Sequence, residues 1–179
     1  MKRRMPRLTT ALVAIAAATL LATSGCSTSP QMAFSVGDDV TTIDQVSSLA
    51  EGCATALGGT TEIISASGLV SDMIHVALAR QIAQANGIQF SDDELRQPID
   101  AGAVSPLAQM MLKDPSCAQL ALGLTLQVLV VDQLGVSNYQ SIADKIPVSI
   151  NPRFGTWNPA DLTVDGSGSL SQTDADATN

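Results

Sequence analysis

Aromatic residues are scarce in this sequence, at 3% of its 179 residues. Stacking platforms for sugars or nucleic-acid bases need several aromatic side chains on one surface, and too few are available here. The core must therefore consist mainly of Leu, Val, Ile, Met and Ala. The aromatic residues are Phe34, Phe90, Tyr139, Phe154 and Trp157.

Basic residues are also few, with nine Lys and Arg against 17 Asp and Glu. Four of the nine lie within the first seven residues, so the chain from Cys26 onward has five basic residues and a formal charge of −12. A surface this acidic repels nucleic acid and anionic lipid, which disfavours electrostatic binding to either.

Residue patterns typical of catalysis or metal binding are lacking. His75 is the only histidine, and its neighbours Ser71 and Asp72 lie on the same predicted helix, whereas the members of a catalytic triad meet through tertiary packing. The sequence contains neither Gly-x-Ser-x-Gly nor Cys-x-x-Cys. The acids at 92–94 and 38–39 suit a helix start and a turn better than a cation site. We therefore predict no catalytic residue, metal or cofactor, and no enzyme activity.

The first 25 residues have the pattern of a signal peptide: a basic flank, an apolar run from Ala11 to Leu21, and small residues at its exit. The apolar run is shorter than the ~20 residues that cross a bilayer, and we expect no later segment to serve as a permanent transmembrane helix.

Residues Ser24-Gly25-Cys26 resemble the lipobox of bacterial lipoproteins, in which the cysteine becomes the first mature residue and carries a diacylglycerol. The chain departs from that pattern at Thr23, where Leu is usual. The resemblance implies lipidation at Cys26, a tether over residues 26–32, and a location on the extracytoplasmic face of the cell membrane. The alternative is an ordinary secretory signal that leaves Cys26 free.

Two further cysteines, Cys53 and Cys117, remain. In an exported protein such a pair is most simply a disulfide. Two independent buried thiols are the alternative.

Most of the remaining pattern is helical. Thr42 to Gln45 has the spacing of a capping box, and the helix that follows should end at Gly58-Gly59. A second helix is predicted from about Ser67 to Ala85, and a third starts at the capping box Ser91 to Glu94, with Gln97-Pro98 expected to interrupt it early.

The second half of the chain continues this pattern. A short helix is predicted around Pro106 to Leu112, and a last one from about Ser137 to Lys145. Between them, Pro115 to Leu134 is apolar nearly all round, which is typical of a central helix, although its β-branched end also suits a strand. A short strand or hairpin is expected at "AFSVGDDVTT", and a short strand at "PVSINP".

Three segments in this order resemble the SurA N-terminal-type chaperone domain: "FSVGDDVTTIDQV", "ANGIQFSDDEL" and "VSINPRFGTWNP". The last is similar to the ending of SurA-like lipoproteins of high-GC Gram-positive bacteria. The resemblance implies a mainly α, multi-helix domain over residues 33–160, in which Ala33–Val36 lies near Val148–Ile150 in a small sheet. Residues 161–179 are predicted to be a disordered acidic tail.

The resemblance also implies a chaperone-like function without a parvulin isomerase domain, since few residues follow the last motif and the paired histidines of that active site are missing. The expected partners are unfolded or exported polypeptides, bound without catalysis. A lipoprotein that carries a small apolar ligand, or that serves as a structural subunit of an envelope complex, is the alternative.

The segment "NPRFGTW" concentrates Arg153, Phe154 and Trp157 within five positions. One hypothesis makes these three residues a contact surface for an extended peptide. The other is structural: Arg153 pairs with an acid or caps a helix, and the aromatic side chains cover the edge of the sheet.

Overall fold

The structure is a computed structural model that describes residues 31–61 and 64–166. The predicted signal peptide, Cys26 and most of the predicted tether lie outside these residues. The elements are β1 (Met32–Val36), β2 (Asp39–Thr42), α1 (Ile43–Leu57), α2 (Ala66–Ala85), α3 (Asp92–Asp100), α4 (Pro106–Met111), α5 (Pro115–Leu134), α6 (Val136–Ala143), β3 (Val148–Ile150), a 3-10 turn (Pro152–Phe154), β4 (Thr156–Asn158) and β5 (Thr163–Asp165).

The fold is mainly helical with a small antiparallel sheet near the termini, so the predicted fold class is confirmed. Both predicted capping boxes form. The Thr42 hydroxyl accepts from the Gln45 N–H while the Gln45 side chain accepts from the Thr42 N–H, and Ser91 and Glu94 make the reciprocal pair at α3. These bonds satisfy amide groups that the first turn of a helix leaves without partners, which sets where α1 and α3 begin.

The sheet has the strand order β2-β1-β3, and both neighbours run antiparallel to β1. Phe34 lies opposite Ile150, and the backbone N–H of Asn151 extends the pairing by donating to the Ala33 carbonyl at 2.8 Å. The expected proximity of Ala33–Val36 and Val148–Ile150 is therefore confirmed. A separate hairpin of β4 and β5 follows.

Helix α5 is the centre of the domain and contacts each of the other five helices of the described residues. Its closest neighbour is α2, where Gly123 of α5 faces Val76 of α2. A Cβ atom added at Gly123 would lie 2.4 Å from Val76 Cγ1. Only a glycine lets the two helices approach this closely.

Residues Cys53 and Cys117 form a disulfide that joins α1 to the first turn of α5, with Cα atoms 4.8 Å apart. The predicted pairing is thus present in the structure. Both cysteines are buried.

Two sequence expectations need correction. Pro98 does not interrupt α3, which continues to Asp100. The cost of the proline falls on the carbonyl of Glu94, which loses its hydrogen bond and is crowded by the ring, but Glu94 is an exposed residue of the first turn. The fully buried Ile99 holds the last turn in place.

The second correction concerns the tail, because residues 161–166 are part of the fold. Trp157 of β4 pairs with Val164 of β5, and the Val164 side chain packs against the main core. Helix α5 is long and apolar enough to cross a membrane by length and composition alone. The core helix of a domain has the same properties, and α5 is in contact with the other helices of the described residues.

Candidate functional site

An open apolar groove lies between α1, α2, α4 and α5. It has a volume of about 420 Å³, and we call it the α4 groove. The Cys53–Cys117 disulfide lines part of its wall. The large apolar side chains that line it are Leu57, Ile64, Leu69, Leu107, Met111, Leu120 and Leu124.

Helix α4 gives this groove its exposed apolar margin. It is a six-residue helix that starts at Ser105, whose hydroxyl accepts from the Leu107 N–H. Met111 is buried against the core, whereas Leu107 and Met110 remain 51% and 37% exposed. Val104, just before α4, is also exposed. Clusters of exposed apolar side chains beside a groove are typical of binding surfaces.

Asp72 is the only charged residue among those that line the α4 groove in the described part of the chain. The surrounding protein raises the pKa of its carboxyl group through desolvation, and the nearby His75 acts in the opposite direction. The residue as a whole is exposed, so its carboxylate lies at the margin of the groove. The interior of the groove is left to apolar contacts.

A second groove of about 440 Å³ lies on the other side of the α1–α2 connection, and we call it the Arg153 groove. Ile64 and Leu69 line both grooves. The other residues that line the second groove are Ile43, Val46, Ser47, Ala50, Thr61, Ala66, Arg153 and Phe154.

The three residues predicted to bind peptide do not share one surface. Phe154 is buried at 8% exposure in the main core, and it lines the Arg153 groove together with Arg153. Trp157 is half-buried and lies edge-on to His75, with ring centroids 6.2 Å apart. Arg153 alone is exposed, at the margin of the Arg153 groove. Arg153 is therefore the residue of the three that a peptide could contact directly.

The backbone of the "FGTW" segment requires a glycine at position 155. Its φ is 126°, which side chains rarely adopt, and a Cβ atom there would lie 2.7 Å from the Asp165 carbonyl oxygen. The glycine therefore lets β5 approach the turn that precedes β4. This is a requirement of the fold.

Three polar side chains, His75, Gln127 and Tyr139, lie near one another where α2, α5 and α6 meet. The Gln127 side-chain amide lies 2.7 Å from His75 Nδ1. Tyr139 is buried, and its hydroxyl makes no hydrogen bond in the structure. Burial raises the pKa of Tyr139 to about 12, and the nearby Gln127 only partly offsets this. His75 is thus held by packing and by Gln127, which fits the structural role expected for it.

The sequence patterns indicate neither of the two grooves, nor the contact between Gln127 and His75. Leu107 and Met110 belong to a predicted helix, but a six-residue helix has too few positions to show which face is solvent-exposed. Among the described residues, no group of three or more His, Cys, Asp and Glu side chains is placed to hold a metal ion.

No family model, curated protein or solved structure matches the chain.

Proposed function

We propose that the protein is a lipid-anchored, extracytoplasmic, chaperone-like protein that binds apolar segments of unfolded or exported polypeptides without catalysis. The supporting observation is the α4 groove with its exposed lining residue Leu107, together with the exposed side chains of Met110 on the same helix and Val104 just before it. An apolar groove between helices can accept side chains from many different sequences, because burial of apolar surface is non-directional.

The open form of the α4 groove favours this proposal over the alternative of a small-ligand carrier. A carrier encloses most of its ligand's surface. The α4 groove instead continues onto the exposed face of α4, where Leu107 lies at the boundary between groove and surface. A chain longer than the groove can therefore bind and extend beyond it.

The sheet offers a second mode of contact. Strand β1 is central, so β2 is left with one unpaired edge, and Val40 on this strand is 58% exposed. An extended segment can add to such an edge through main-chain hydrogen bonds, which carry little sequence preference. We propose this edge as a secondary contact.

We also propose that the domain is SurA-N-like and that Cys26 carries the lipid. Mass spectrometry of the mature N-terminus tests the anchor. A diacylglycerol-modified Cys26 as first residue supports it, and cleavage elsewhere or an unmodified Cys26 contradicts it.

Polypeptide binding is tested by adding the chain from residue 27 onward to an aggregating client and following light scattering. The double variant Leu107→Ser/Met110→Ser should lose most of the protection. The matched control is Val136→Ser, which removes a 68% exposed side chain that does not line the α4 groove.

Circular dichroism should show that all variants keep the helical content of the parent. Equal protection by the parent and the Leu107→Ser/Met110→Ser variant would move binding away from the α4 groove. No protection by the parent at several-fold excess would refute the chaperone proposal as a whole.

A further inference from the structure

The Arg153 groove lies at the end of the domain from which the chain leads back to Cys26. Ile43, which lines the groove, donates its N–H to the Gln31 carbonyl at 2.9 Å. Five residue steps separate Gln31 from Cys26, and a fully extended segment of that length spans at most about 18 Å. A lipid on Cys26 therefore holds this groove close to the membrane surface.

The Arg153 groove also has a simple distribution of charge. Arg153 is the only charged side chain among the described residues that line it, and it is exposed at the margin. A guanidinium group forms two parallel hydrogen bonds with a phosphate, and it keeps its charge at every physiological pH. An apolar interior with one cation at the margin is complementary to an amphiphile with an anionic headgroup.

The apolar walls of the groove suit an acyl chain. Among the described residues they come chiefly from side chains of α1 and α2. An acyl chain has no polar groups and needs no hydrogen-bond partners from these walls. A large exposed apolar side chain such as Leu107 of the α4 groove is lacking among the described residues that line this groove.

We propose that the Arg153 groove binds a single-chain anionic phospholipid drawn from the membrane that anchors the protein, with the phosphate on Arg153 and the acyl chain between α1 and α2. The inference rests on the proposed lipid anchor for the source of its ligand. Because the chain carries a formal charge of −12 from residue 26 onward, the affinity comes mainly from burial of the acyl chain. Arg153 selects the headgroup.

Isothermal titration of the chain from residue 27 onward, which contains every element of the fold, tests this site. The probe is lauroyl lysophosphatidylglycerol below its micellar concentration, with monolauroylglycerol as the neutral match. Arg153→Gln should weaken binding of the phospholipid about tenfold, the size expected for one charge-assisted hydrogen-bonded pair, and should leave the neutral lipid within about twofold.

Two further variants complete the test. Ala50→Phe places a ring in the groove and should weaken both lipids by at least tenfold, while Lys145→Gln removes an exposed positive charge elsewhere and should change neither. Circular dichroism checks that each variant is folded. Equal losses of both lipids in Arg153→Gln, or unchanged binding in Ala50→Phe, would refute the proposal.

A third ligand and a cross-check separate the remaining outcomes. Dodecanoate should bind more weakly than the phospholipid, and tighter binding would contradict a membrane phospholipid as the ligand. Displacement of the phospholipid by an apolar client peptide would assign the groove to polypeptides. If client protection depends on Leu107 and Met110 but the lipid does not bind, only the lipid proposal is refuted. If the lipid binds as expected but the parent protein does not protect the client, only the chaperone proposal is refuted.

Discussion

Replacement of Gly123 by alanine should destabilise the domain, although alanine is the better helix former. The gain in helix propensity is about 1 kcal/mol. Against it, the new methyl group would lie 2.4 Å from Val76 Cγ1 and 2.8 Å from Cγ2, where ordinary contacts begin at 3.4 Å. The helices must therefore separate by about 1 Å, or the side chain of Val76 must move.

Neither adjustment is easy. Val76 is 5% exposed, and a β-branched side chain in a helix has one strongly preferred χ1 rotamer. The helix pair α2–α5 is also the most extensive contact in the domain, so its separation disturbs the core along much of its length. Overpacking of this kind costs typically 1–3 kcal/mol, and we place Gly123→Ala at the upper end, for a net loss of about 2 kcal/mol.

The assay is denaturant unfolding of the chain from residue 27 onward, for Gly123→Ala, Val76→Ala and the double variant. Because Val76→Ala removes both Cγ atoms and leaves only Cβ, 3.2 Å from the new methyl group, most of the overpacking cost of about 3 kcal/mol should be relieved. The double variant should then be at least about 2 kcal/mol more stable than the sum of the single effects predicts. Gly68→Ala is the control, since a Cβ atom there meets nothing closer than 3.4 Å, and it should be neutral or stabilising. Additive effects within about 0.5 kcal/mol would show that Gly123 and Val76 do not limit the approach of the helices.

Three further predictions concern the disulfide, the buried tyrosine and the first helix cap. Removal of the disulfide by Cys53→Ala/Cys117→Ala should lower the free energy of unfolding by about 4 kcal/mol, because the bridge joins residues 64 apart. In unreduced, denatured parent protein, alkylation should label neither Cys53 nor Cys117. Labelling of both would contradict the pairing. Tyr139→Phe should stabilise the protein by about 1 kcal/mol at neutral pH, since it removes a buried hydroxyl without a hydrogen-bond partner. The pKa of Tyr139 in the folded state is about 12 against an ordinary 10, so the stability that depends on the neutral hydroxyl is complete below pH 10 and is lost as the pH rises through 12. Denaturation at pH 9 and 11.5 should show this alkaline loss in the parent and a smaller one in the phenylalanine variant, and equal losses would refute the assignment. Thr42→Ala should cost about 1 kcal/mol through the N-cap of α1, whereas Thr42→Ser should restore most of it; equal stability of the two variants would mean that the capping bond contributes nothing.

The predictable part of the fold is the part with local chemical signals. The hydroxyl and the amide of a capping box lie three residues apart, so the start of α1 at Thr42 could be read directly, and Asn86-Gly87 likewise marked the end of α2. The flanking prolines predict the strand "PVSINP", and the apolar-polar alternation of "AFSVGDDVTT" predicts β1, whereas the proximity of the two is implied only by the family resemblance.

What could not be predicted depends on tertiary packing. The effect of Pro98 depends on whether the turn after it has something to pack against, and buried Ile99 supplies that contact. The grooves arise where α1, α2 and their neighbours leave space. The apolar periodicity of one helix predicts which face is buried, but it does not predict the distance to the neighbouring helix. For the same reason Arg153 could be singled out from the sequence, but its separation from the half-buried Trp157 could not.

The place of β1 in the sheet has a consequence for the order in which the domain can assemble during synthesis. The Asn151 side chain holds the Met32 carbonyl across 119 positions of the chain, and β3 supplies one of the two neighbours of β1. A nascent chain that ends before residue 148 can form helices from local contacts, but its first strand keeps an unpaired edge. The three-stranded sheet can therefore form only after β3 has been synthesised, when nearly all of the domain has been made.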